Sequence, residues 1–219
     1  MLKGIDISHH NYHMQDYDEL NKLDFVIMKA SEGVKFRDPK MRNYLGFLNP
    51  FILRGFYHYA RPDLGNKPED EAQHFINTVR PFINGRSVLA LDVEDLALKV
   101  KDLDWWVSVW CQVVEMETGI KPLIYCSAAE CKRFKAAADM GCGLWVAKWS
   151  ANKPTEKQIK PWGFWAFWQY SSDGVFSGAR VDLDYFNGDE LQFIKYAEVK
   201  HGSHNSDNSG DQGSFITSI

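Results

Sequence analysis

Two carboxylic acids stand two residues apart at the end of a short apolar run. In the segment Leu89–Asp95, Asp92 and Glu94 alternate with apolar residues. Because strand side chains alternate between two faces, both acids point the same way, roughly 6.5–7 Å apart along the strand. Enzymes that hydrolyse glycosidic bonds use such a pair, in which one carboxyl group is protonated and the other is ionised. The segment therefore predicts acid chemistry at a strand end.

Two further segments repeat this pattern. Asp6 alternates with apolar residues near the start of the chain, and Asp182 and Asp184 do so near the end. Each acid falls near the C-terminal end of a predicted strand, where barrel enzymes keep their active sites. Clustered carboxylates raise each other's pKa, so a fold tolerates them mainly where chemistry uses them. By the same alternation, Asp95 is predicted to point away from the cleft and to be structural.

Two other interpretations of these acids are open. A single Asp at a strand end is often a helix cap or turn former, although agreement among three strands weakens that view. A divalent-metal site could combine the acids with His9 and His10. The sequence contains no HExxH-type helix, however, and we predict neither a metal nor another cofactor.

The elements that must position the acids alternate between short apolar strands and longer amphipathic segments. Alternation of this kind predicts an α/β fold with a parallel sheet. Eight strands in 219 residues favour an irregular TIM-like β/α barrel, with helices reduced in the C-terminal part; an open doubly wound sheet is the alternative. The predicted strands are Lys3–Ser8, Phe25–Ala30, Leu53–Tyr59, Val88–Glu94, Pro122–Cys126, Leu144–Trp149, Phe164–Tyr170 and Arg180–Tyr185. The predicted helices are Tyr17–Lys22, Pro39–Asn49, Pro68–Val79, Asp104–Thr118 and Ala128–Ala138.

Composition narrows the class of protein. A chain of 219 residues, 45% hydrophobic, suits one catalytic domain, which we assign to residues 1–200. Residues 201–219 are rich in Ser, Asn, Asp and Gly and are predicted to be a tail or linker. With a net charge of −4 and no basic stripe, nucleic-acid binding is not expected. The four cysteines form no CxxC pair, so free thiols are the default and bridges stay open.

Targeting signals are also missing from the sequence. No apolar run approaches the roughly 18 residues of a membrane helix, so membrane insertion is not expected. The N-terminus lacks the pattern of a secretory signal, so phage-type release from the host cytoplasm or export by another route is expected. A monomer is the default oligomeric state.

Eight short motifs occur in an order that resembles glycoside hydrolase family 25, the lysozymes often found as phage endolysins and bacterial autolysins. The resemblance extends from Gly4 to Gly188. Single motifs are weak, whereas eight in the right order are specific. They are Gly4–Ser8, Phe25–Gly33, Gly55–Tyr59, Leu89–Glu94, Pro122–Tyr125, Leu144–Ala147, Trp168–Tyr170 and Val181–Asp182.

The resemblance implies cleavage of the β-1,4 bond between N-acetylmuramic acid and N-acetylglucosamine in bacterial peptidoglycan. Glu94 would be the general acid. Asp92 would orient the substrate's 2-acetamido group as internal nucleophile, or attack the sugar directly. Asp6 and Asp182 would hold the charge of the site and bind the sugar or the neighbouring acids. Asp184 stands where the family commonly has Asn, so it is not predicted to be catalytic.

Other side chains near the same strand ends are candidates for sugar binding, with core packing as the alternative for the aromatic ones. Lys29 and Glu32 are predicted either to form a salt bridge bordering the cleft or to contact substrate. His58 is predicted to be a hydrogen-bonded core histidine. The aromatic candidates are Tyr57, Tyr125, Trp145, Trp168 and Tyr170.

Two competing functions remain. A catalytically silent glycan-binding module usually lacks one of the paired acids. The acids Asp6, Asp92, Glu94 and Asp182 are all present here. A chitinase-like N-acetylglucosaminidase carries the longer signature Asp-x-x-Asp-x-Asp-x-Glu, and Ser87–Leu91 contains no acid.

Overall fold

The computed structural model describes residues 1–11 and 13–199, so the predicted tail or linker at 201–219 lies outside the described residues. Nine strands and five α-helices make up this part of the chain. The strands are β1 (Leu2–Ile7), β2 (Phe25–Glu32), β3 (Phe36–Arg37), β4 (Leu53–Tyr59), β5 (Ser87–Asp92), β6 (Leu123–Ser127), β7 (Gly143–Ala147), β8 (Phe167–Phe176) and β9 (Ala179–Phe186). The helices are α1 (Met41–Phe47), α2 (Pro68–Val79), α3 (Leu103–Thr118), α4 (Lys135–Asp139) and α5 (Glu190–Ala197).

Eight of the strands close into a barrel, which confirms the predicted architecture. The order is β1-β9-β8-β7-β6-β5-β4-β2, and the parallel pairing of β1 with β2 closes the ring. The short β3 pairs antiparallel with the end of β2. Within the described residues, no α-helix lies between β7 and β8 or between β8 and β9, so the helical layer is reduced in the C-terminal part as predicted.

The direction of the last strand differs from the parallel sheet expected from alternation. Strand β9 runs antiparallel to both β8 and β1. Ser177 and Gly178 join β8 to β9, with φ values of 45° and 80°. A two-residue loop with positive φ at both positions makes a hairpin, and parallel strands need a longer crossover. The short connection therefore forces the reversal.

Strand alternation separates two hydrophobic cores. Leu89, Leu91 and Val93 face outward, where helices cover them, and Ala90 faces the barrel interior. Large side chains fill the interior, and each of the following is buried: Phe25, Ile27, Tyr57, Tyr125, Trp145, Phe167 and Phe186. A filled interior leaves only the rim for a site.

Helix α5 closes the end of the barrel at which the parallel strands begin. The sequence analysis did not predict this helix. It packs against β4 and β5. Phe193 stands 5.5 Å from Phe167 and 5.7 Å from Phe25, measured between ring centroids. Both partners are the first residues of their parallel strands, so Phe193 seals the N-terminal end. Asp189 caps the helix by accepting from the backbone N–H of Gln192, and a capping box is complete.

Among the predicted helices, Pro68–Val79 is present as α2 with the predicted bounds, and the others differ in bounds or in type. Tyr17–Lys22 is a 3₁₀ helix that Asp16 caps. The predicted helix Ala128–Ala138 divides into a 3₁₀ turn at Cys131–Arg133 and α4, because Phe134 leaves helical geometry with φ −111° and ψ 49°. Cys111, Cys126, Cys131 and Cys142 are buried free thiols in the structure.

Gly4 occupies a position with no room for a side chain. A Cβ there would stand 2.3 Å from the Phe25 carbonyl oxygen and 2.5 Å from its ring. We expect Gly4→Ala to destabilise the fold by about 1–3 kcal/mol through overpacking. Gly46, in α1, has open space within 4 Å of the position that a Cβ would take, and Gly46→Ala should stabilise by about 0.5–1 kcal/mol. Urea denaturation of both variants tests this contrast, and equal changes would contradict it.

Candidate active site

The four predicted catalytic acids meet at one end of the barrel. Asp92 is the last residue of β5, and Glu94 follows two positions later. Asp6 of β1 pairs across the sheet with Asp182 of β9. All four line one groove of about 890 Å³, which lies over the C-terminal ends of the parallel strands. Asp182 reaches this end because β9 is antiparallel, whereas the sequence argument had placed it near a strand's C-terminal end.

Glu94 has the electrostatic setting of a proton donor. The residue is half-buried, and burial raises the pKa of its carboxyl to about 7. The charges of Asp95 and Asp182 act in the same direction, and Lys29 opposes them. A carboxylic acid with this pKa still holds a proton near neutral pH.

Asp92 is more deeply enclosed than Glu94. It is 6% exposed, and its Oδ1 atom has no hydrogen-bond donor among the described residues. Burial, followed by the charge of Glu94, raises the pKa of Asp92 well above its ordinary value, and Lys29 opposes the rise. Two carboxyl groups this close resist ionising together, which separates a proton donor from a carboxylate partner.

A chain of ion pairs borders the groove beside these acids. Lys29 Nζ lies 2.8 Å from Glu32 Oε2, and Arg61 Nη1 lies 2.8 Å from Glu32 Oε1. Arg61 Nε also lies 3.0 Å from Asp63 Oδ1. Although burial opposes ionisation of Glu32, hydrogen bonds from Lys29 and Arg61 lower its pKa. The predicted salt bridge between Lys29 and Glu32 is therefore present at the groove wall.

Three of the aromatic candidates lie beneath the acids. Tyr57, Tyr125 and Trp145 are buried in the interior, and they line a small chamber of about 60 Å³ together with the four acids. Tyr57 also lines the main groove. These side chains thus belong to the interior core and form the floor of the site, and their contact with sugar stays a prediction.

The other two aromatic candidates lie outside the groove, which corrects the prediction. Trp168 is buried in the outer core, and the ring of Tyr170 stacks 4.5 Å from that of Tyr185. The residue between them, Gln169, faces inward, because alternation along β8 allows only one of the two sets inside. Its Nε2–H donates to Asp6 Oδ2 at 2.8 Å. Gln169 is therefore a site residue that sequence reasoning missed, although alternation alone could have found it.

Asp95 is exposed and lines the groove, which contradicts the prediction that it points away. The strand ends at Asp92, so alternation no longer applies three residues later. Asp95 adopts a left-handed backbone with φ 51°, and its Oδ2 accepts a hydrogen bond from Tyr59 Oη at 2.8 Å.

The groove has further walls beyond the predicted site residues. Ser8 faces it two residues after Asp6, as alternation along the predicted strand Lys3–Ser8 indicates. Tyr59 faces the site two residues after Tyr57, so alternation along β4 would have found it. The others follow strand ends, where alternation gives no signal: His10, Asn11, Arg61, Asp63, Leu96, Ala97 and Lys99.

His58 lies outside the groove as a hydrogen-bonded core residue, as predicted. It is fully buried, and burial lowers its pKa. Neutral His58 accepts from Ser31 Oγ at 2.8 Å through Nδ1 and donates from Nε2 to Glu71 Oε2 at 2.9 Å. Glu71 also accepts from the backbone N–H of Arg61 and from Asn66 Nδ2. This buried network anchors the start of the loop that carries Arg61.

His9 and His10, which follow β1, have different surroundings. His9 Nδ1 lies 2.8 Å from Asp38 Oδ2, and His10 lines the groove. Among residues 1–11 and 13–199, no three His, Cys, Asp or Glu side chains are grouped as metal ligands.

A closed barrel that carries a half-buried carboxyl of raised pKa among further acids in an open groove has the architecture of a barrel glycoside hydrolase. The chain matches the model of glycosyl hydrolases family 25 over residues 5–179, and it belongs to that family.

Similar proteins agree with this membership. The chain is 34% identical over 204 residues to the uncharacterized protein YegX of Escherichia coli strain K12, covering 87% of this chain and 72% of that protein. It is 27% identical over 215 residues to Lysozyme M1 of Streptomyces globisporus, covering 90% and 71%. The solved structure of a bacterial lysozyme from Streptomyces coelicolor superposes with a TM-score of 0.76 at 26% identity, covering 90% and 96% of the two chains.

No helix among residues 1–11 and 13–199 combines the length and the apolar character needed to span a membrane.

Proposed function

We propose that this chain is a lysozyme that hydrolyses the β-1,4 bond between N-acetylmuramic acid and N-acetylglucosamine in bacterial peptidoglycan. The observation that carries the proposal is Glu94, a half-buried carboxyl in an open groove whose pKa is raised to about 7. Lysozyme M1 and the lysozyme from Streptomyces coelicolor support the choice of substrate.

Each acid has one role in the proposed mechanism. Glu94 protonates the leaving oxygen as the bond breaks. Asp92 orients the 2-acetamido group of the sugar, which attacks the anomeric carbon as an internal nucleophile; direct attack by Asp92 is the alternative. Asp6 and Asp182 bind the sugar or the neighbouring acids and set the charge of the groove.

The walls of the groove have the proposed role of holding the glycan. Tyr57 lines the floor of the groove, and Lys29 and Glu32 present charged groups from one side. Tyr125 and Trp145 support the floor from below. The substrate lies outside the membrane, so we propose that the enzyme acts on the cell wall, as a monomer.

Digestion of purified peptidoglycan with product analysis by mass spectrometry tests the function. We expect fragments whose reducing ends are N-acetylmuramic acid. Reducing ends on N-acetylglucosamine would instead identify an N-acetylglucosaminidase, and an absence of any fragments would indicate a glycan-binding module.

The pH dependence of the reaction follows from the raised pKa of Glu94. We expect kcat/KM on peptidoglycan to fall above about pH 7, by at least tenfold per pH unit at the limit, because the general acid loses its proton. Initial rates between pH 5 and pH 9 at constant ionic strength measure this, and a rate that stays flat to pH 9 would contradict it.

Loss of the fold must be separated from loss of the proton in that measurement. Because the folded pKa of Glu94 lies above the ordinary value of 4.5, its contribution to stability is complete below that value. The contribution is then lost as the pH rises through about 7. A melting temperature at each pH therefore serves as the control.

A further inference from the structure

A fifth carboxyl lies directly beneath the four acids of the groove. Asp184 of β9 is fully buried and pairs across the sheet with Gly4 of β1. Trp145 Nε1–H donates to its Oδ1 at 2.8 Å. Its Oδ2 is also buried, and no N–H or O–H group of the described residues donates to it. A buried carboxylate oxygen without a donor is costly, so a partner for Oδ2 is required.

The side chain in reach of Asp184 is another carboxyl group. The carboxyl and the backbone N–H of Asp6 both act on Asp184 at hydrogen-bonding range, but neither forms a bond of ordinary geometry to its Oδ2. Gln169 fixes Asp6 from the other side by donating Nε2–H to Asp6 Oδ2 at 2.8 Å. Gln169 is itself held in this orientation, because its Oε1 accepts from Tyr125 Oη at 3.0 Å and from Trp149 Nε1 at 2.9 Å. Gln169 therefore cannot turn its amide to serve Asp184.

Two carboxylates in this contact would repel each other and leave Oδ2 unsatisfied. A single proton between them removes both costs, since it turns one carboxyl into a donor. We propose that Asp184 is a positioning residue that holds one proton between its carboxyl and that of Asp6, which keeps Asp6 oriented beneath the substrate and leaves one negative charge there instead of two. The effect on turnover rests on the proposed function; the shared proton does not.

The surroundings favour retention of this proton. Burial raises the pKa of Asp184 to about 7 and raises the pKa of Asp6 well above its ordinary value. The ionisable groups whose charges act on the pair or respond to it come from β4, β6, β8 and β9: Tyr57, Tyr125, Tyr170 and Asp182. Tyr57, Tyr125 and Tyr170 also have raised pKa values and stay neutral, and the charge of Asp182 disfavours a second negative charge.

Asp184→Asn is the sharpest variant, since it changes a carboxyl to an amide of the same shape. The amide can accept from Trp145 and donate to Asp6, so the contact survives without the proton. The loss of the Asp184 charge and the gain of an amide donor both lower the pKa of Asp6, so Asp6 no longer needs the shared proton. Asp6→Asn is the mirror variant, because it also replaces the proton by an amide donor. It keeps the test decisive if Asp184→Asn does not fold.

The pH dependence of the unfolding equilibrium constant gives the number of protons that the folded protein binds in excess of the unfolded chain. The folded wild type binds one proton that the unfolded chain releases above about pH 4, so its stability falls as the pH rises towards about 7. Between pH 5 and pH 6.5, the unfolding equilibrium constant of the wild type should rise with pH more steeply than that of Asp184→Asn, by about tenfold per pH unit. Asp6→Asn should show the same reduced slope. Asp173→Asn, an exposed change on the same hairpin, should keep the wild-type slope.

Each outcome of this measurement decides the proposal. An unchanged slope in Asp184→Asn and Asp6→Asn would show that no proton is shared. In the double variant Asp6→Asn/Asp184→Asn, one shared proton predicts a slope reduced by about tenfold per pH unit, as in each single variant. A reduction by about a hundredfold per pH unit in the double variant would show that each carboxyl carries its own proton, which also overturns the proposal.

The positioning role has a separate readout in the kcat–pH profile on peptidoglycan. The wild type should lose two protons on the alkaline side, from Glu94 and from the pair, and Asp184→Asn should lose one and show a shallower decline. An identical decline would overturn the positioning role. If the wild type does not cleave peptidoglycan at all, the proposed function fails, and the unfolding measurement still decides whether Asp184 and Asp6 share a proton.

Discussion

Replacement of Glu94 by Gln is expected to lower kcat on peptidoglycan by about 10²–10⁴-fold. Gln has the shape of Glu but no acidic proton, so the leaving oxygen would depart without protonation. So large an effect is expected because the pKa of Glu94 is raised to about 7, and the wild-type side chain therefore still carries its proton near neutral pH. Substrate affinity should change much less, since the amide keeps hydrogen-bonding capacity.

The experiment requires a demonstration that the variant folds. Glu94→Gln should be at least as stable as the wild type at pH 7, because the half-buried carboxyl that it replaces costs free energy when ionised. Glu156→Gln, an exposed change of the same chemistry, should retain wild-type kcat. Turbidity clearing or dye release from labelled walls gives the rates. Wild-type clearing by Glu94→Gln would remove this residue from the mechanism.

Replacement of Glu71 by Ala is expected to destabilise the fold by about 3–5 kcal/mol. Glu71 is fully buried and accepts hydrogen bonds from three groups: His58 Nε2, the backbone N–H of Arg61 and Asn66 Nδ2. Removal of the carboxylate leaves these donors buried without an acceptor and creates a cavity beside them. The size of the expected effect comes from this combination.

Urea denaturation at pH 7 measures the loss. Glu69→Ala lies two residues earlier in the first turn of α2 and is exposed, so it should cost about 1 kcal/mol or less. The Glu71 variant should also raise KM, because the backbone of Arg61 loses its anchor and Arg61 holds Glu32 at the groove wall. Equal losses in the two variants would show that the buried network does not stabilise the barrel.

Local alternation accounts for what sequence reasoning found correctly in the site. Asp6, Asp92 and Asp182 face the groove because neighbouring residues of a strand point to opposite faces, wherever the strand lies. The same rule would have found Tyr59 and Gln169. It failed for Asp95, since a rule for strands gives no information after the strand has ended.

Aromatic residues show a second limit of the sequence. Trp145 and Trp168 both lie in apolar strands, and both were candidates for the cleft. One belongs to the interior core and the other to the outer core. Residue type does not distinguish these places, because both are buried and apolar. Only the alternation relative to Gln169 and the register of β7 with β8 separate them.

The sequence by itself determined that acids lie on the inner faces of three strands, that the chain alternates between strands and helices, and that its motifs are those of family 25. These properties depend on residues close together in the chain, so local geometry and composition are enough. The tertiary structure alone decided the closure of the barrel by α5, the contact of Asp184 with Asp6, and the raised pKa of Glu94. Each of these depends on groups that are distant in sequence, such as Asp6 and Gln169, which are 163 residues apart. Burial and charge act through space, and the chain order does not record which distant groups the fold brings together.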